Sequence, residues 1–216
     1  MKRTSLVSLL LGFLVLPGCL STGMARTLDA GHLQISLTPG LQGISAVHLN
    51  GSASPGASYA QGELTLRYGL TDRVDVGAKL FVLGAAVDAR FALLRAPSLH
   101  EGVDLTLAPT FAHEFYHGEF ANTMMEVPLL LGVNLGGTQL VLGPRLGYLI
   151  STDEDAALKK GHVMAGTSLG VAFPVTQGLR LMPEVSARVT PLNNGTLDVL
   201  YHAGLGVIFG GYAKQP

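Results

Sequence analysis

The sequence has almost no cysteine and little charge, and both shortages limit what it can encode. Its single cysteine, Cys19, has no partner for an intrachain disulfide, so stability must come from burial and hydrogen bonding. Charged residues make up 13% of the chain and the formal net charge is −1, which excludes the basic surface that a nucleic-acid partner requires. After the N-terminal leader, no apolar run approaches the length of about 20 residues that a membrane-spanning helix needs.

The N-terminus has the layout of a secretory signal peptide, with two basic residues, an apolar run and then small residues. The stretch LPGC, which ends at Cys19, resembles the lipobox of bacterial lipoproteins. This resemblance implies cleavage just before Cys19 and lipidation of that residue. The alternative is ordinary cleavage after Ala25. The sequence therefore predicts a signal peptide over residues 1–18, or 1–25 in the alternative, and a lipid-anchor segment over residues 19–26.

The rest of the chain alternates apolar with polar or small side chains, in stretches of about ten residues. This two-residue period is typical of β-strands that have one apolar and one polar face. We therefore predict an all-β fold, an up-and-down antiparallel transmembrane barrel of about ten strands, with eight or twelve strands as alternatives. The predicted strands cover residues 28–38, 62–70, 73–81, 85–94, 103–111, 127–135, 140–150, 163–173, 179–189 and 199–209.

The connections between these strands alternate in length. Short or moderate ones follow the even-numbered strands, and the others, mostly longer and more polar, cover residues 39–58, 113–123, 151–162 and 190–196. Outer-membrane barrels show this asymmetry, with their short turns at the periplasmic face. Outward aromatic residues also fall near strand ends, where the two membrane interfaces are expected. They are Phe111, Tyr148 and Tyr201 at the loop end and Tyr68, Phe173 and Phe209 at the turn end.

The hairpin LTLRYGLTDRVDVGAKL, residues 64–80, resembles the strand-turn-strand units of small Gram-negative outer-membrane barrels, the OmpA-like and OmpW-like proteins in the broad sense. The resemblance covers residues 27–210 and leaves a C-terminal tail over residues 211–216. It implies a place in the cell outer membrane. Such barrels usually end on an aromatic residue that the insertion machinery reads, whereas here seven residues follow Phe209, so either Phe209 or Tyr212 serves as the signal or assembly differs. The resemblance implies no particular activity, because one fold serves many functions.

The predicted partners are membrane components. The resemblance implies contact with outer-membrane lipid and with the outer-membrane assembly machinery. A polar loop with three acids at residues 153–155 and two lysines, Lys159 and Lys160, is a candidate for binding divalent ions or lipopolysaccharide, although a solvated loop is the simpler interpretation. No nucleic-acid partner is expected, and the sequence leaves the oligomeric state open.

Inward-facing side chains of the predicted barrel carry nearly balanced charge. A channel that selects anions or cations would show an excess of one sign, so the balance favours internal ion pairs and a closed, polar lumen, with a narrow solute channel as the alternative. The inward charges are Glu63, Asp75, Asp88, Asp104 and Glu184 against Arg67, Lys79, Arg90, Arg145, Arg180 and Arg188. The lumen charge network predicted from them consists of Glu63, Arg67, Asp75, Lys79, Asp88 and Arg90.

The shortest turns that the sequence allows also predict a register for the first hairpins. In this register Arg67 faces Asp75, and Lys79 faces Glu63 on one side and Asp88 on the other. Each of these pairs has opposite charge, and a slip by one residue would move the charges into lipid. We therefore expect Lys79 to be the central cation of the network.

A pentapeptide at residues 113–117, HEFYH, fits the H-E-x-x-H pattern of zinc metalloproteases. On a helix the two histidines share one zinc ion, whereas on an extended strand they lie about 13 Å apart and do not. A predicted strand leads into His113 and no amphipathic helix surrounds the motif, so we expect a strand end or loop tip and no metal. If a short helix formed here, Glu119 or Glu126 would be the third ligand.

Two serine–histidine combinations are candidates for a membrane-embedded lipid hydrolase. They are His162 with Ser168 and His202 with Ser186. No spacing singles either of them out from ordinary barrel residues. The sequence therefore predicts no enzyme activity and no cofactor, and a structural or surface-interaction role in the outer membrane.

Overall fold

The computed structural model describes residues 21–48, 53–82, 84–115, 121–151, 161–191 and 196–212. Every helix or strand in these ranges is a β-strand, and all pairings are antiparallel, which confirms the predicted all-β class. No helix in the same ranges is long and apolar enough to cross a membrane. The strands are β1 (Leu33–His48), β2 (Ala53–Thr71), β3 (Val74–Phe81), β4 (Gly84–Leu94), β5 (Glu101–Leu107), β6 (Thr110–Phe115), β7 (Ala121–Leu135), β8 (Thr138–Leu142), β9 (Arg145–Ser151), β10 (His162–Thr176), β11 (Leu179–Pro191) and β12 (Thr196–Gly210).

The sheet closes on itself to form a barrel. β1 pairs with β2 on one side and with β12 on the other, so the first and last strands meet at a seam. β5 and β6 both lie between β4 and β7, and β8 and β9 both lie between β7 and β10. Each of these two pairs fills one position in the wall. The barrel therefore has ten wall positions, as the sequence predicts.

Two prolines divide the wall positions that hold two strands. Pro109 lies between β5 and β6, and Pro144 lies between β8 and β9. Each proline interrupts the ladder because it has no N–H to donate. The backbone still bonds sideways at each break. Ala89 N–H donates to the Pro109 carbonyl at 3.1 Å, and Leu129 N–H donates to the Pro144 carbonyl at 2.9 Å. The wall thus stays continuous where the strands are interrupted.

Side chains alternate across the wall, with apolar ones outside and polar ones inside. In β3, Val76 and Leu80 are 38% and 59% exposed, whereas Asp75 and Lys79 are 0% and 5% exposed. A water-soluble β domain would show the reverse arrangement, so this outer wall suits a lipid phase. Predicted interface aromatics that lie exposed on the outer wall are Tyr68, Phe111, Tyr148, Tyr201 and Phe209.

The first hairpin is longer than predicted. The loop predicted over residues 39–58 is wrong, because β1 continues to His48 and β2 begins at Ala53. This part of the sequence is rich in small and polar residues and lacks apolar alternation, but backbone pairing needs only N–H and C=O groups. Gly43 takes part in it by close approach, since a Cβ there would come within 2.0 Å of the Tyr201 ring.

The register of the β2–β3 and β3–β4 hairpins is two residues away from the predicted one. Arg67 lies opposite Gly77, and Lys79 lies opposite Thr65 and Ala86, so neither cation directly faces the acid predicted for it. A bulge just before the β2–β3 turn adds a residue that the shortest turn leaves out, and the β3–β4 turn comes one residue early. Because the shift is even, every charge stays on the lumen side.

Engineered disulfides should distinguish the two registers. Ala78 and Val87 are opposite one another, so their Cβ atoms are about 5 Å apart and within reach of a disulfide after small adjustment. We expect Ala78→Cys/Val87→Cys, made without Cys19, to cross-link on oxidation, and Leu80→Cys/Val87→Cys to remain reduced. Mass spectrometry under non-reducing conditions gives the result. Cross-linking of the second variant alone would restore the register predicted from the sequence.

Candidate functional site

A segment that precedes β1 fills the barrel lumen. Residues 21–28, called the plug below, join β1 through residues 29–32 at the turn end of the barrel, where the short connections lie. Met24, Ala25 and Leu28 are 1%, 0% and 0% exposed. Side chains from wall strands between β2 and β11 bond to the plug, so the wall surrounds it.

Wall carboxylates and a lysine bind the part of the plug farthest from the turn end. The Ser21 N–H donates to Glu63 Oε2 at 2.9 Å, and the Ser21 hydroxyl donates to the other oxygen of the same carboxylate. Lys79 Nζ donates to the Ser21 carbonyl at 2.5 Å. The Thr22 N–H donates to Glu184 Oε2 at 3.1 Å. Polar wall residues that water would solvate in an open pore therefore bond to the plug.

The middle of the plug is bound through its backbone. The Ala25 N–H donates to Gln139 Oε1 at 2.8 Å, and the Ala25 carbonyl accepts from Thr106 Oγ1 at 2.6 Å. Gly132 provides the space, because a Cβ at this position would lie 2.7 Å from Ala25 Cβ. Backbone contacts of this kind depend on position more than on side-chain identity, and for this reason the sequence carries little sign of them.

Among the described residues, one ion pair joins the plug to the wall. Arg26 Nη1 lies 3.6 Å from Asp104 Oδ1 and donates to the Ala96 carbonyl at 2.9 Å. Asn134 and Gln139 also donate to Asp104 Oδ2, at 2.7 and 3.0 Å. Because Asp104 is fully buried, removal of Arg26 would leave a desolvated carboxylate without a cation. The pair fixes the plug at the height of β5.

The turn end of the plug is closed by β3 and by the residue pair after β12. The Leu28 N–H donates to Asp75 Oδ2 at 2.9 Å. The Tyr212 hydroxyl donates to the Arg26 carbonyl at 3.1 Å. Burial raises the pKa of the Tyr212 hydroxyl, which therefore stays protonated and remains a donor. The plug is thus bonded along its whole length.

Four of the six predicted network residues meet around Asp75. Arg67 Nη1 lies 2.6 Å from Asp75 Oδ1, and Arg90 Nη2 lies 2.6 Å from Asp75 Oδ2. Arg67 also reaches Asp88, with Nη2 2.6 Å from Oδ1. Arg90 in addition donates to the Met24 carbonyl of the plug at 2.5 Å. Diagonal contacts across the strands make these pairs possible in the shifted register, and Asp88 pairs with Arg67 instead of Lys79.

The other two network residues form a separate pair. Lys79 Nζ lies 3.5 Å from Glu63 Oε1, and both side chains are almost wholly buried. The Glu63 carboxylate also accepts from the Thr65 hydroxyl at 2.9 Å. Together with the bonds to Ser21, these contacts use both carboxylate oxygens of Glu63.

A third cluster lies around Glu126, for which the sequence suggested only a role as a zinc ligand. Arg145 Nη1 lies 3.0 Å from Glu126 Oε1, and Arg188 Nε lies 3.0 Å from Glu126 Oε2. The predicted strand began at Val127, and its alternation extended by one residue would have pointed Glu126 into the lumen. This signal was present in the sequence and was missed.

The space left between the plug and these clusters is small. A void of about 20 Å³ lies among Ser21, Thr22 and the inward side chains of β2 to β9. This is close to the minimum that holds a single water molecule.

The HEFYH motif does not form a zinc site in the described residues. His113 lies in β6, and its Nδ1 is 3.0 Å from Thr123 Oγ1 on β7. His117 falls outside the described residues, as do Cys19 and the charged loop that ends in Lys159 and Lys160. Within the described ranges, no group of three or more His, Cys, Asp or Glu side chains is placed to bind a metal ion.

The two hydrolase candidates also differ from a catalytic arrangement. His162 and Ser168 lie six residues apart on β10, about 20 Å along an extended strand. Ser186 and His202 do lie opposite each other, and Glu184 Oε1 is 3.9 Å from His202 Nδ1. Neither ring nitrogen of His202, however, has a hydrogen-bond partner among the described residues. The serine–histidine hydrogen bond that activates a nucleophile is therefore missing.

No protein-family model matches the chain, and no curated protein matches it in sequence. Solved structures do match it. An outer-membrane channel from Pseudomonas putida F1 is 12% identical, with a TM-score of 0.53, and the match covers 88% of this chain and 99% of that one. The outer membrane protease OmpT from Escherichia coli (11% identity, TM-score 0.45) and the outer membrane protein OprG from Pseudomonas aeruginosa (17%, 0.36) each match over 87% of this chain and 99% of their own.

Fold and surface agree on the location. The chain has the fold of Gram-negative outer-membrane β-barrels. Its outer wall is apolar around the barrel and carries exposed aromatic residues. The protein is therefore a barrel of the cell outer membrane, which confirms this part of the prediction. At these identities, the matches carry no information about activity.

Loss of Lys79 should destabilise the folded barrel. Lys79→Ala leaves Glu63 buried without its cation and the Ser21 carbonyl without its donor, so we expect a loss of about 2–4 kcal/mol in unfolding free energy. Arg73→Ala, in the exposed β2–β3 turn, is the control and should change stability little. Urea unfolding in lipid vesicles measures both variants. Equal small effects would mean that Lys79 is hydrated in an open lumen.

Proposed function

We propose that the protein is a closed outer-membrane barrel with a structural or surface-interaction role. The observation that carries this proposal is the plug, whose backbone bonds to inward side chains of the wall and leaves room for about one water molecule at the level of Lys79. A diffusion channel needs a continuous aqueous path through this level. The balanced charge of the lumen supports the same proposal, because the wall favours neither anions nor cations.

We also propose that the barrel is not an enzyme. The support is the geometry around His202, whose ring nitrogens bond neither to Ser186 nor to another described residue. A lipid hydrolase of the serine–histidine type needs this bond in the reacting complex. The zinc-hydrolase alternative needs a helix around His113, and this residue lies in a strand.

A second candidate function is a channel that opens when the plug leaves. It is favoured by one observation. Among the described residues, the lumen ion pairs between arginine or lysine and a carboxylate join two wall residues, except for the pair between Arg26 and Asp104, which joins plug and wall. The wall pairs would therefore survive withdrawal of the plug. The P. putida F1 structure of similar fold is a channel, which makes this the natural alternative.

Planar-bilayer recordings test the closed lumen. We expect a refolded chain that begins at Ser21 to be silent and one that begins at Asp29 to conduct, because the second lacks the plug. A third protein, Arg26→Ala in the chain with the plug, removes the ion pair to Asp104 and tests whether the plug moves. Stable conductance from the chain with the plug would contradict the proposal. Brief openings of that chain that become more frequent in Arg26→Ala would establish the channel.

We further propose that the mature protein retains the plug. Cleavage after Ala25 would remove five plug residues and leave Glu63 and Glu184 without the donors of Ser21 and Thr22. We expect intact-mass measurement of protein from outer membranes to find an N-terminus that precedes the plug. An N-terminus at Arg26 would contradict the proposal. The same spectrum checks the diacylglycerol adduct that the lipobox resemblance implies at Cys19.

A further inference from the structure

A cavity of about 490 Å³ opens at the turn end of the barrel, separate from the plugged level of the lumen. This volume falls within the range typical of small-molecule sites, about 300–1,000 Å³. The β4–β5, β7–β8 and β10–β11 connections line it, together with the adjoining ends of β10 and β11, the end of β12 and Tyr212. No described residue of the lining is acidic.

Arg180 is a cation of this cavity without a carboxylate partner in the described ranges. Its Nη1 donates to the Gly137 carbonyl at 2.7 Å, and its guanidinium lies 5.9 Å from the centre of the Tyr212 ring. Four arginines deeper in the lumen, by contrast, each have a carboxylate within 3.0 Å; they are Arg67, Arg90, Arg145 and Arg188. A carbonyl and an aromatic ring orient the guanidinium but do not neutralise it.

The walls around Arg180 combine apolar and polar surface. Leu99 is buried against the core cluster of the lumen, and Pro174 lies on the rim. Gly137 has a positive φ of 89°, which allows its turn to bring the carbonyl to Arg180 without a side chain in the opening. The cavity therefore offers one oriented cation next to a small apolar wall.

We propose that this cavity binds a small amphipathic anion, with a carboxylate or phosphate group on Arg180 and an apolar part against Leu99 and Pro174. The planar guanidinium has N–H groups besides the one that bonds Gly137, and these match the two oxygens of such a group. The short turns of outer-membrane barrels face the periplasm, so the ligand enters from that side. Its source is either a soluble molecule or a phospholipid headgroup of the inner leaflet.

Calorimetric titration of the full-length protein with hexanoate and hexyl phosphate tests this site, with hexanol as the uncharged control. In phosphate-free maltoside micelles, we expect both anions to bind and hexanol to give no saturable heat. Arg180→Gln should weaken binding by about tenfold or more, because it removes a charge-assisted bidentate contact. Arg73→Gln, an exposed arginine in the β2–β3 turn at the same end, should bind as the unchanged protein does.

A second variant distinguishes a loss of anion binding from misfolding of Arg180→Gln. Gln177 is exposed on the rim, so Gln177→Glu should fold normally and weaken anion binding by repulsion alone. Anion affinity equal to the wild type in both variants, or no binding of either anion at millimolar concentration, would overturn the proposal. Repeating the titration in phospholipid nanodiscs identifies the source: loss of binding there means that headgroups occupy the site, and unchanged binding means a soluble ligand. This outcome is independent of whether the lumen conducts.

Discussion

The whole structure depends on one constraint, which is that polar side chains inside a lipid-facing wall must find partners within the barrel. Each strand points half of its side chains inward, and ten wall positions bring these polar groups together in a narrow space. Arginine–carboxylate clusters around Asp75 and Glu126 satisfy part of this demand. The plug satisfies another part, because its N–H and C=O groups bond to Glu63, Gln139 and other wall residues.

The features that the sequence predicted correctly are those carried by side-chain alternation. A two-residue period is enough to decide that Asp75 and Lys79 face inward and that Val76 and Leu80 face outward, and the structure places them so. The same period gave ten wall positions, because β5 with β6 and β8 with β9 each read as one strand across a proline. It also placed the six residues of the predicted charge network in the lumen. Two of the three predicted ion pairs form there by diagonal contact, Arg67 with Asp75 and Lys79 with Glu63, whereas Asp88 pairs with Arg67 instead of Lys79.

What the sequence could not supply depends on turns and on backbone contacts. The two-residue difference in register could not be predicted. A bulge before the β2–β3 turn has no signature in the apolar pattern, and an even shift leaves every side chain on the same face of the wall. The plug escaped notice for a similar reason. Residues 21–28 look like the end of a leader, and the wall binds them mainly through peptide groups that every sequence has. The sequence therefore predicted polar contacts between wall residues only, whereas in the structure Ser21 and Thr22 of the plug also bond to wall carboxylates.

The position of the plug beside the first strand has a consequence for assembly. Only residues 29–32 separate the plug from β1, and β1 forms the seam with β12. This short tether keeps the plug at the turn end of the barrel during assembly as well as after it. Filling of the interior is therefore an intramolecular step that needs no encounter with a second molecule, so a hollow barrel always lies next to the segment that fills it.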